Sequence, residues 1–535
     1  MFRRITALIF SAFYILTLCS CSATKEPEAS PAQLKKYENQ NETPKDGGTL
    51  KLCLFETDTL NPLVSQNSEN IKTLSLIYDS LFSVNQDFSY EPNLCESYTI
   101  SPDGLIYRFT VRSGVTFHDG TRLSAADVDF SFRLLRESES PYLAKLSDIK
   151  SHSARSSEWV VELKRPVANF PALLDFPIIS ERSASSVKQA IQNKTEYIPN
   201  GTGLYKVQSY QKNKELFLTK NELYYRGTAT HIGNILMYLV NDKNTAITMF
   251  ENARVDFLSS GVINPQEYTP KRSATSVDYT ANRFTFLALQ NQNPCLNTAS
   301  TRSALAMAMN RETMVNELLS GRAIACDIPI NPSSWLYDND QPDLTYAPEQ
   351  ARQMLTADGW ADADNDGILE RNTEHGTEKL ELTLLVNQEN TLRTKLASQI
   401  KQWLENIGVR ITLQAVSFQE YNRRLNHKQF DLAVCELDFS DNCDLKFLLE
   451  TGYNFCGIAN EELDHLMKEA DKSNNAAEIQ TIYVQMCKIL REQMPIAGLY
   501  FSNASVIFDD SLKGNIAPSE SNLFLNIPEW FMIEN

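Results

Sequence analysis

The chain has 535 residues, which is enough for two or three domains. Its composition, with 42% hydrophobic and 10% aromatic residues, is typical of a globular protein and excludes collagen, coiled coil and wholesale disorder. The formal charge of -17 at pH 7 repels the phosphate backbone of nucleic acids, so we expect no nucleic-acid partner.

The N-terminus is typical of an export signal. A basic start is followed by an apolar stretch over residues 5–18, shorter than the ~20 residues that a transmembrane helix needs. The sequence Leu-Cys-Ser-Cys that ends at Cys21 resembles the processing site of bacterial lipoproteins. We therefore predict a signal peptide over residues 1–20 and a lipid anchor on Cys21. An ordinary cleaved signal or an uncleaved anchor is the alternative.

Residues 21–47 are rich in Lys, Glu, Pro, Asn and Gln and have few large apolar side chains. This composition predicts a flexible tether with a coil dimension of about 28 Å. Such a tether would separate the globular part of the protein from the outer face of the bacterial cytoplasmic membrane while keeping it attached. Past residue 48, the sequence has no stretch of about 18 apolar residues that would predict a further span.

Residues 48–163 are predicted to contain several strands and one capped helix. A strand is predicted to begin at Gly48. Residues 106–111 place Tyr107, Phe109 and Val111 on one face and Arg108 and Thr110 on the other, which predicts a half-buried strand. Ser124, with Asp127 three residues later, has the spacing of a capping box that begins a helix. A further strand is predicted over residues 160–163.

The C-terminal half predicts a βαβ unit. Residues 380–386 alternate as a strand, apolar residues at helical spacing follow up to Gly408, and residues 409–413 alternate again. Such strands are expected to be parallel. A short helix over residues 418–426 then leads to a strand over residues 430–435, and the loops after the strands should meet at one edge of the sheet.

The sequence has no recognisable catalytic motif. It contains no Gly-x-Ser-x-Gly elbow, and Gly201-Thr202-Gly203 lacks the residues that would make it a phosphate-binding loop. None of the six histidines has the spacing of a metal motif, and the eight cysteines from Cys53 onward include no Cys-x-x-Cys pair. These cysteines are interpreted as buried thiols, with disulfides as the alternative. We expect no cofactor and no enzymatic activity.

One acidic segment matches the start of a calcium-binding loop. Asp362, Asp364 and Asp366 stand at positions 1, 3 and 5 of an EF-hand loop, with Gly367 at position 6. Position 12 is Thr373 instead of the bidentate glutamate, and a strand follows where a helix is expected. The sequence therefore favours an acidic surface turn over a metal site, and these three aspartates are its only metal candidates.

Several stretches together resemble the family 5 extracytoplasmic solute-binding proteins, which serve peptide and nickel ABC importers. The stretches are residues 59–63, 76–82, 101–109, 114–120, 123–128, 200–207 and 302–311. The most specific is the run over residues 101–128. In the segment from Asn200, Leu204 replaces the proline that is usual in the family.

The resemblance implies an α/β fold of the type II periplasmic-binding-protein class, with two hinged lobes and an extra α/β subdomain. The implied first lobe comprises residues 48–85, 198–289 and 491–535. The extra subdomain is expected over residues 86–197 and the second lobe over residues 290–490. The lobes of such a clamp close over the ligand by hinge motion.

The resemblance also implies where the ligand binds. Family pockets use a segment after the first strand and a loop after a late strand of the second lobe. The corresponding residues here are Gln66, Asn67 and Ser68, and then Glu436, Leu437, Asp438 and Ser440. The strand-end argument adds Asn387 and Gln388.

The late loop departs from the pattern of peptide-binding relatives. Those proteins often have a tryptophan where this chain has Leu437, and an aspartate near the position of Ser440 that pairs with the ligand's α-amino group. Asp438 or Asp441 is the candidate for that charge here. The departure leaves the fold expectation intact and puts oligopeptide specificity in question.

The predicted function is capture of an oligopeptide or peptide-like solute and its delivery to the permease subunits of an ABC importer. The protein is expected to act as a lipid-anchored monomer. The alternative within transport is a nickel chelate, haem or another non-peptide solute. The alternative of another class is a surface hydrolase or an adhesion lipoprotein.

Overall fold

The computed structural model describes residues 35–37, 43–55, 59–183, 187–192, 197–227, 230–264, 268–340, 342–374 and 376–533. Cys21 and the predicted signal peptide lie outside these residues. Within them, no helix has both the length and the apolar character needed to cross a membrane.

The described residues form strands and helices along the whole length of the chain. The strands are β1 (Lys35–Lys36), β2 (Gly47–Phe55), β3 (Phe82–Val84), β4 (Tyr90–Pro92), β5 (Cys95–Ile100), β6 (Ile106–Val111), β7 (Ile149–Arg155), β8 (Glu158–Leu163), β9 (Tyr205–Gln211), β10 (Glu215–Lys220), β11 (Ile232–Val240), β12 (Phe257–Ser259), β13 (Ala274–Leu289), β14 (Ala323–Ala325), β15 (Glu370–Thr373), β16 (Gly376–Lys379), β17 (Glu381–Asn387), β18 (Arg410–Val416), β19 (Leu432–Asp438), β20 (Ile496–Asp509), β21 (Leu512–Lys513) and β22 (Phe531–Met532). The α-helices are α1 (Ser68–Leu74), α2 (Ala125–Glu137), α3 (Val187–Gln192), α4 (Lys243–Glu251), α5 (Ala299–Met307), α6 (Arg311–Thr313), α7 (Pro348–Ala357), α8 (Thr391–Glu405), α9 (Phe418–Asn426), α10 (Lys446–Leu449), α11 (Glu461–Lys472) and α12 (Ala476–Gln493).

Two long strands connect the two halves of the molecule. The antiparallel strands β13 and β20 lie next to each other in a sheet of order β12-β20-β13-β19-β17-β18. Their outer ends pair with β12 and β1, whereas the other part of β13 pairs with β19. Two four-stranded sheets, β2-β11-β10-β9 and β5-β6-β8-β7, complete the N-terminal half.

The buried side chains form separate cores for the two halves. One continuous core contains Leu52 and Trp530 together with Phe109 and Trp159 from the sheet of residues 95–163. The strands β17 and β19 have a core on each face, with α5, α7 and α8 on one side and α9 to α12 on the other. A sheet covered on both faces explains why consecutive residues are buried in β17, from Leu384 to Asn387, and in β19, from Leu432 to Cys435.

The locally predicted elements are confirmed. Residues 106–111 form β6 with the predicted alternation, and the amide of Ser124 donates to Asp127 Oδ2 at 2.8 Å at the start of α2. The strands β17 and β18 are parallel, and β19 runs parallel to β17. The predicted bounds differ from the observed ones by one or more residues. The strands β17 and β18 each begin one residue later than predicted, β19 begins two residues later at Leu432, and β8 begins two residues earlier at Glu158.

The Gly-Thr-Gly sequence at residues 201–203 serves close packing of two backbone segments. The amide of Gly203 donates to the carbonyl of Ile77 at 2.9 Å. A Cβ on Gly201 would lie 2.0 Å from that carbonyl oxygen, and one on Gly203 would lie 2.6 Å from the carbonyl carbon. Glycine is therefore required at both positions for steric reasons.

Two other expectations concern the tether and the cysteines. Part of the predicted tether packs on the folded protein, because Lys35 and Lys36 pair with β13 and the ring of Tyr37 lies 5.5 Å from that of Phe508.

The eight described cysteines are free thiols, all buried except the half-buried Cys53, in agreement with the interpretation as buried apolar groups. The division of the chain into lobes at the stated boundaries stays a prediction.

Candidate functional site

A cleft of about 680 Å³ lies between the two halves of the molecule. One wall comes from α1 and from residues 520–521, and another from the short 3-10 helix Pro141–Leu146. The opposite wall is the loop that follows β19. Segments from all three predicted parts of the fold therefore meet around one cavity.

The floor of the cleft is an irregular point in the two long strands. The register between β13 and β20 shifts between Thr280 and Phe284, and the intervening residues Ala281, Asn282 and Arg283 line the cleft. A β-bulge bends a strand and increases its local twist. The cleft thus opens where the strands pass from one half to the other.

A buried ionic cluster forms one side of the cleft. Lys145 Nζ lies 2.5 Å from Asp175 Oδ1 and 3.8 Å from Asp441 Oδ2, and the three side chains are 12–18% exposed. Burial alone lowers the pKa of a lysine, but the two aspartates outweigh it and raise the pKa of Lys145. Burial raises the pKa of Asp441 to about 6, and Lys145 opposes this shift.

Two further ion pairs line the cleft. Lys72 Nζ lies 3.0 Å from Glu520 Oε1, and Arg283 Nε lies 2.7 Å from Asp438 Oδ1. The described residues that line the cleft therefore contribute three cations and four carboxylates. Because Asp441 shares its cation with Asp175, the cleft carries one carboxylate in excess.

The first predicted segment reaches the cleft only in part. Ser68, at the start of α1, lines it and is exposed. Asn67 caps the same helix, since its Oδ1 accepts from the amides of Glu69 at 3.0 Å and Asn70 at 3.2 Å. Gln66 is exposed. Contact of Gln66 and Asn67 with a ligand stays a prediction.

The second predicted segment divides between the cleft and the sheet. Asp438 and Ser440 line the cleft, and the Asp438 side chain is 70% exposed where it pairs with Arg283. Glu436 instead pairs with Arg393 at 2.8 Å, and Leu437 packs against the core beneath α9 to α12. Of the two aspartates proposed for a ligand's amino group, Asp441 is the more buried.

The remaining predicted residues lie away from the cleft lining. Asn387 is the last residue of β17 and Gln388 follows it, at the same sheet edge as the end of β19, as the parallel order predicts. Asn387 is buried, with its Oδ1 accepting from the amide of Glu389 at 3.0 Å. The amide of Gln388 donates to the carbonyl of Val416 at 2.9 Å. Their role as ligand contacts also stays a prediction.

Sequence reasoning missed the side chains that the extra subdomain contributes. Lys145 and Tyr142 stand on the short 3-10 helix, where Lys145 Nζ lies 5.3 Å from the centre of the Tyr142 ring. Asp175 follows 29 positions after the helix ends. No motif marks these residues, so only the packing of distant segments identifies them.

Comparison with known proteins identifies the class. A sequence model of the bacterial extracellular solute-binding proteins, family 5 Middle, matches residues 89–451, more than half of the chain. The oligopeptide-binding protein AppA of Bacillus subtilis (strain 168) is 25% identical over 548 residues, covering 99% of this chain and 99% of that protein.

Solved structures show the same fold. The periplasmic murein tripeptide binding protein MppA, in an unliganded open form, has a TM-score of 0.78 at 19% identity, covering 93% of this chain and 99% of that chain. The nickel ABC transporter structure from Bacillus halodurans has a TM-score of 0.73 at 18% identity, covering 91% and 99%. At these identities the likeness concerns the fold alone.

The fold is therefore that of a type II periplasmic binding protein, as predicted. The chain belongs to the bacterial extracellular solute-binding proteins of family 5. The members of this family are substrate-binding proteins of transport systems.

Proposed function

We propose that this chain captures a peptide or peptide-like solute with a free amino terminus and delivers it to the permease subunits of an ABC importer. The single observation that carries the proposal is the excess carboxylate in the cleft, at Asp441. Among the described residues, Lys145 is the one cation paired with Asp441, and it is shared with Asp175. This leaves the largely buried carboxylate able to bind a second cation, and a ligand ammonium supplies one.

The geometry favours recognition of one charged end of an otherwise variable ligand. The Asp441 side chain is 12% exposed, so a charge-assisted hydrogen bond to it forms in a partly water-excluded site. The other cations of the cleft already have carboxylate partners of their own. The rest of the 680 Å³ cleft leaves room for water-mediated contacts to different side chains.

Closure of the lobes is part of the proposal. Asn442, directly after Asp441, donates from Nδ2 to the carbonyl of Ala168 at 3.1 Å, and the amide of Ala168 donates to Asp471 Oδ1 at 3.1 Å. In the proposed division, these bonds join the extra subdomain to the second lobe. A ligand held by Asp441 would favour the closed form that the permease recognises.

The location and assembly are proposed together. A lipid on Cys21 would hold the monomeric protein at the outer face of the bacterial cytoplasmic membrane. The family is extracellular, which agrees with export through an N-terminal signal. Mass spectrometry of the protein from its native membrane would detect a diacylglyceryl group on Cys21, and an unmodified Cys21 would contradict this part.

Native mass spectrometry of the purified protein tests the ligand class, because co-purified peptides would be released on unfolding. Calorimetry then compares an identified peptide with its N-acetylated form. We expect acetylation and Asp441→Asn each to weaken binding at least tenfold, whereas the exposed control Asp438→Asn changes it little. Equal affinity of the free and acetylated peptides would refute the proposal.

The nickel-transport neighbour makes a metal chelate the second candidate. No histidine is among the described residues that line the cleft, so a metal would enter already chelated. A chelate recognised through its carboxylates would not depend on Asp441. Release of a nickel chelate instead of a peptide would support this candidate.

A further inference from the structure

The acidic turn after Trp360 gathers four carboxylates far from the cleft. Asp362, Asp364, Asp366 and Glu370 each offer an oxygen that lies within 4.8 Å of the others. Glu370 is the first residue of β15 and was not part of the predicted motif. Carboxylates at such distances repel one another unless a cation lies among them.

Two oxygens of this group are buried and accept no hydrogen bond from the described residues. Glu370 is only 8% exposed; its Oε1 accepts from the amides of Ala363 at 2.8 Å and Asp364 at 3.2 Å, but its Oε2 has no partner. Asp362 Oδ2 accepts from the amide of Gly367 at 3.1 Å, while its buried Oδ1 has none. A buried carboxylate oxygen without a donor is unfavourable, and a metal ion is one way to satisfy it.

The backbone of the turn holds the other two side chains in place. Asp364 Oδ1 accepts from the amide of Asp366 at 3.1 Å, and Asp366 Oδ1 accepts from the amide of Ile368 at 2.9 Å. Gly367 has φ +86°, as the sharp bend at position 6 of a calcium loop requires. One oxygen of each aspartate is thereby fixed, and the second accepts from the ammonium of Lys379.

We propose that residues 362–370 bind one divalent cation of the calcium type, with the four carboxylates as ligands. Calcium takes six to eight oxygen ligands in flexible geometry, so a backbone carbonyl and water would complete the set. Glu370, at position 9, supplies the acid that the motif lacks at position 12, where Thr373 instead donates to the carbonyl of Gly376 at 2.9 Å.

Lys379 is the competitor of this cation. Its Nζ lies 3.0 Å from Asp364 Oδ2 and 2.7 Å from Asp366 Oδ2. One ammonium balances only one of the four negative charges. Among the described contacts, the Lys379 ammonium bonds to Asp364 and Asp366 but not to Glu370 or Asp362. The Lys379 side chain is 36% exposed, so it can turn to solvent when the cation binds.

Titration of the EDTA-treated full chain with CaCl₂ in a calorimeter tests the proposal. We expect one equivalent with a dissociation constant between about 10⁻⁵ and 10⁻³ M. Glu370→Gln, which keeps the shape and one acceptor, should weaken binding at least tenfold, and Lys379→Gln should strengthen it. Terbium gives a second readout, because the buried indole of Trp360 lies two residues before the loop and can sensitise its luminescence. Circular dichroism checks that the variants fold.

Three results would overturn the proposal. Absence of calcium binding in both the natural chain and Lys379→Gln would mean that the turn is a solvated acidic loop. Binding by Lys379→Gln alone would mean that the lysine is the resident cation. Unchanged affinity in Glu370→Gln would mean that the cation lies elsewhere.

Discussion

Replacing Lys145 by methionine should open the cleft. The Lys145 ammonium lies 3.8 Å from Asp441 Oδ2, on the opposite wall, whereas Asp175 is on its own side. Two unit charges 3.8 Å apart interact by about 4 kcal/mol at an effective dielectric constant of about 20. Because the side chains are 12–18% exposed to cleft water, we halve this value to about 2 kcal/mol, a roughly 30-fold shift toward the open form.

The opening should reverse in acid. Without Lys145, the pKa of Asp441 in the closed form rises above about 6, whereas an open cleft solvates the carboxyl and returns its pKa toward the ordinary value. The closed form then binds a proton that the open form releases, so closure is favoured as the pH falls through and below 6. Small-angle X-ray scattering at pH 7.5 and pH 5 measures both effects through the radius of gyration.

Lys72→Met is the matched control for this experiment. Lys72 also pairs with a carboxylate in the cleft, but its partner Glu520 belongs to the same wall. The control should therefore leave the scattering unchanged at both pH values. Equal scattering of the Lys145 and Lys72 variants at pH 7.5, or an opening that persists at pH 5, would refute the reasoning.

Two further substitutions test contacts between segments that are distant in sequence. Asn442→Ala removes the donor to the buried carbonyl of Ala168 and should destabilise the protein by about 1–3 kcal/mol, measured by chemical denaturation; an unchanged midpoint would contradict this. Gly201→Ala places a Cβ 2.0 Å from the carbonyl oxygen of Ile77 and should cost about 3 kcal/mol or more in the same assay. The control Gly233→Ala meets nothing closer than 3.4 Å, so a similar loss in both glycine variants would contradict the steric explanation.

The elements that the sequence predicts well are those fixed by local patterns. The alternation in β6, the capping box at Ser124 and each element of the βαβ unit that ends at β18 follow from patterns of residues close together in sequence. The displaced start of β19 has a non-local cause. The apolar Phe430 and the polar Asp431 continue the alternation of the strand, so the sequence pattern does not exclude them from it. The pairing of Leu432 with Leu289 sets the first residue of the ladder.

The site was predictable only where a family pattern identifies it. Ser68, Asp438 and Ser440 were named from the resemblance and do line the cleft. Lys145 and Asp175 were not, because neither residue belongs to a recognisable motif. Their ionic cluster exists only because residues 86–197 pack beside the loop after β19, and neither helical nor strand periodicity carries information about that contact.

Asn282 connects the cleft floor to the loop that follows β19. This residue lies in the bulge between Thr280 and Phe284, where the long strands pass from one lobe to the other. Its carbonyl accepts from the amide of Phe439 at 2.8 Å, and its Nδ2 donates to the carbonyl of Ser440 at 3.2 Å. The loop that carries Asp441 is thus bonded directly to the irregular part of the strands. If a ligand ammonium binds Asp441 as proposed, two hydrogen bonds of Asn282 connect the loop that carries it to the bulge in the long strands.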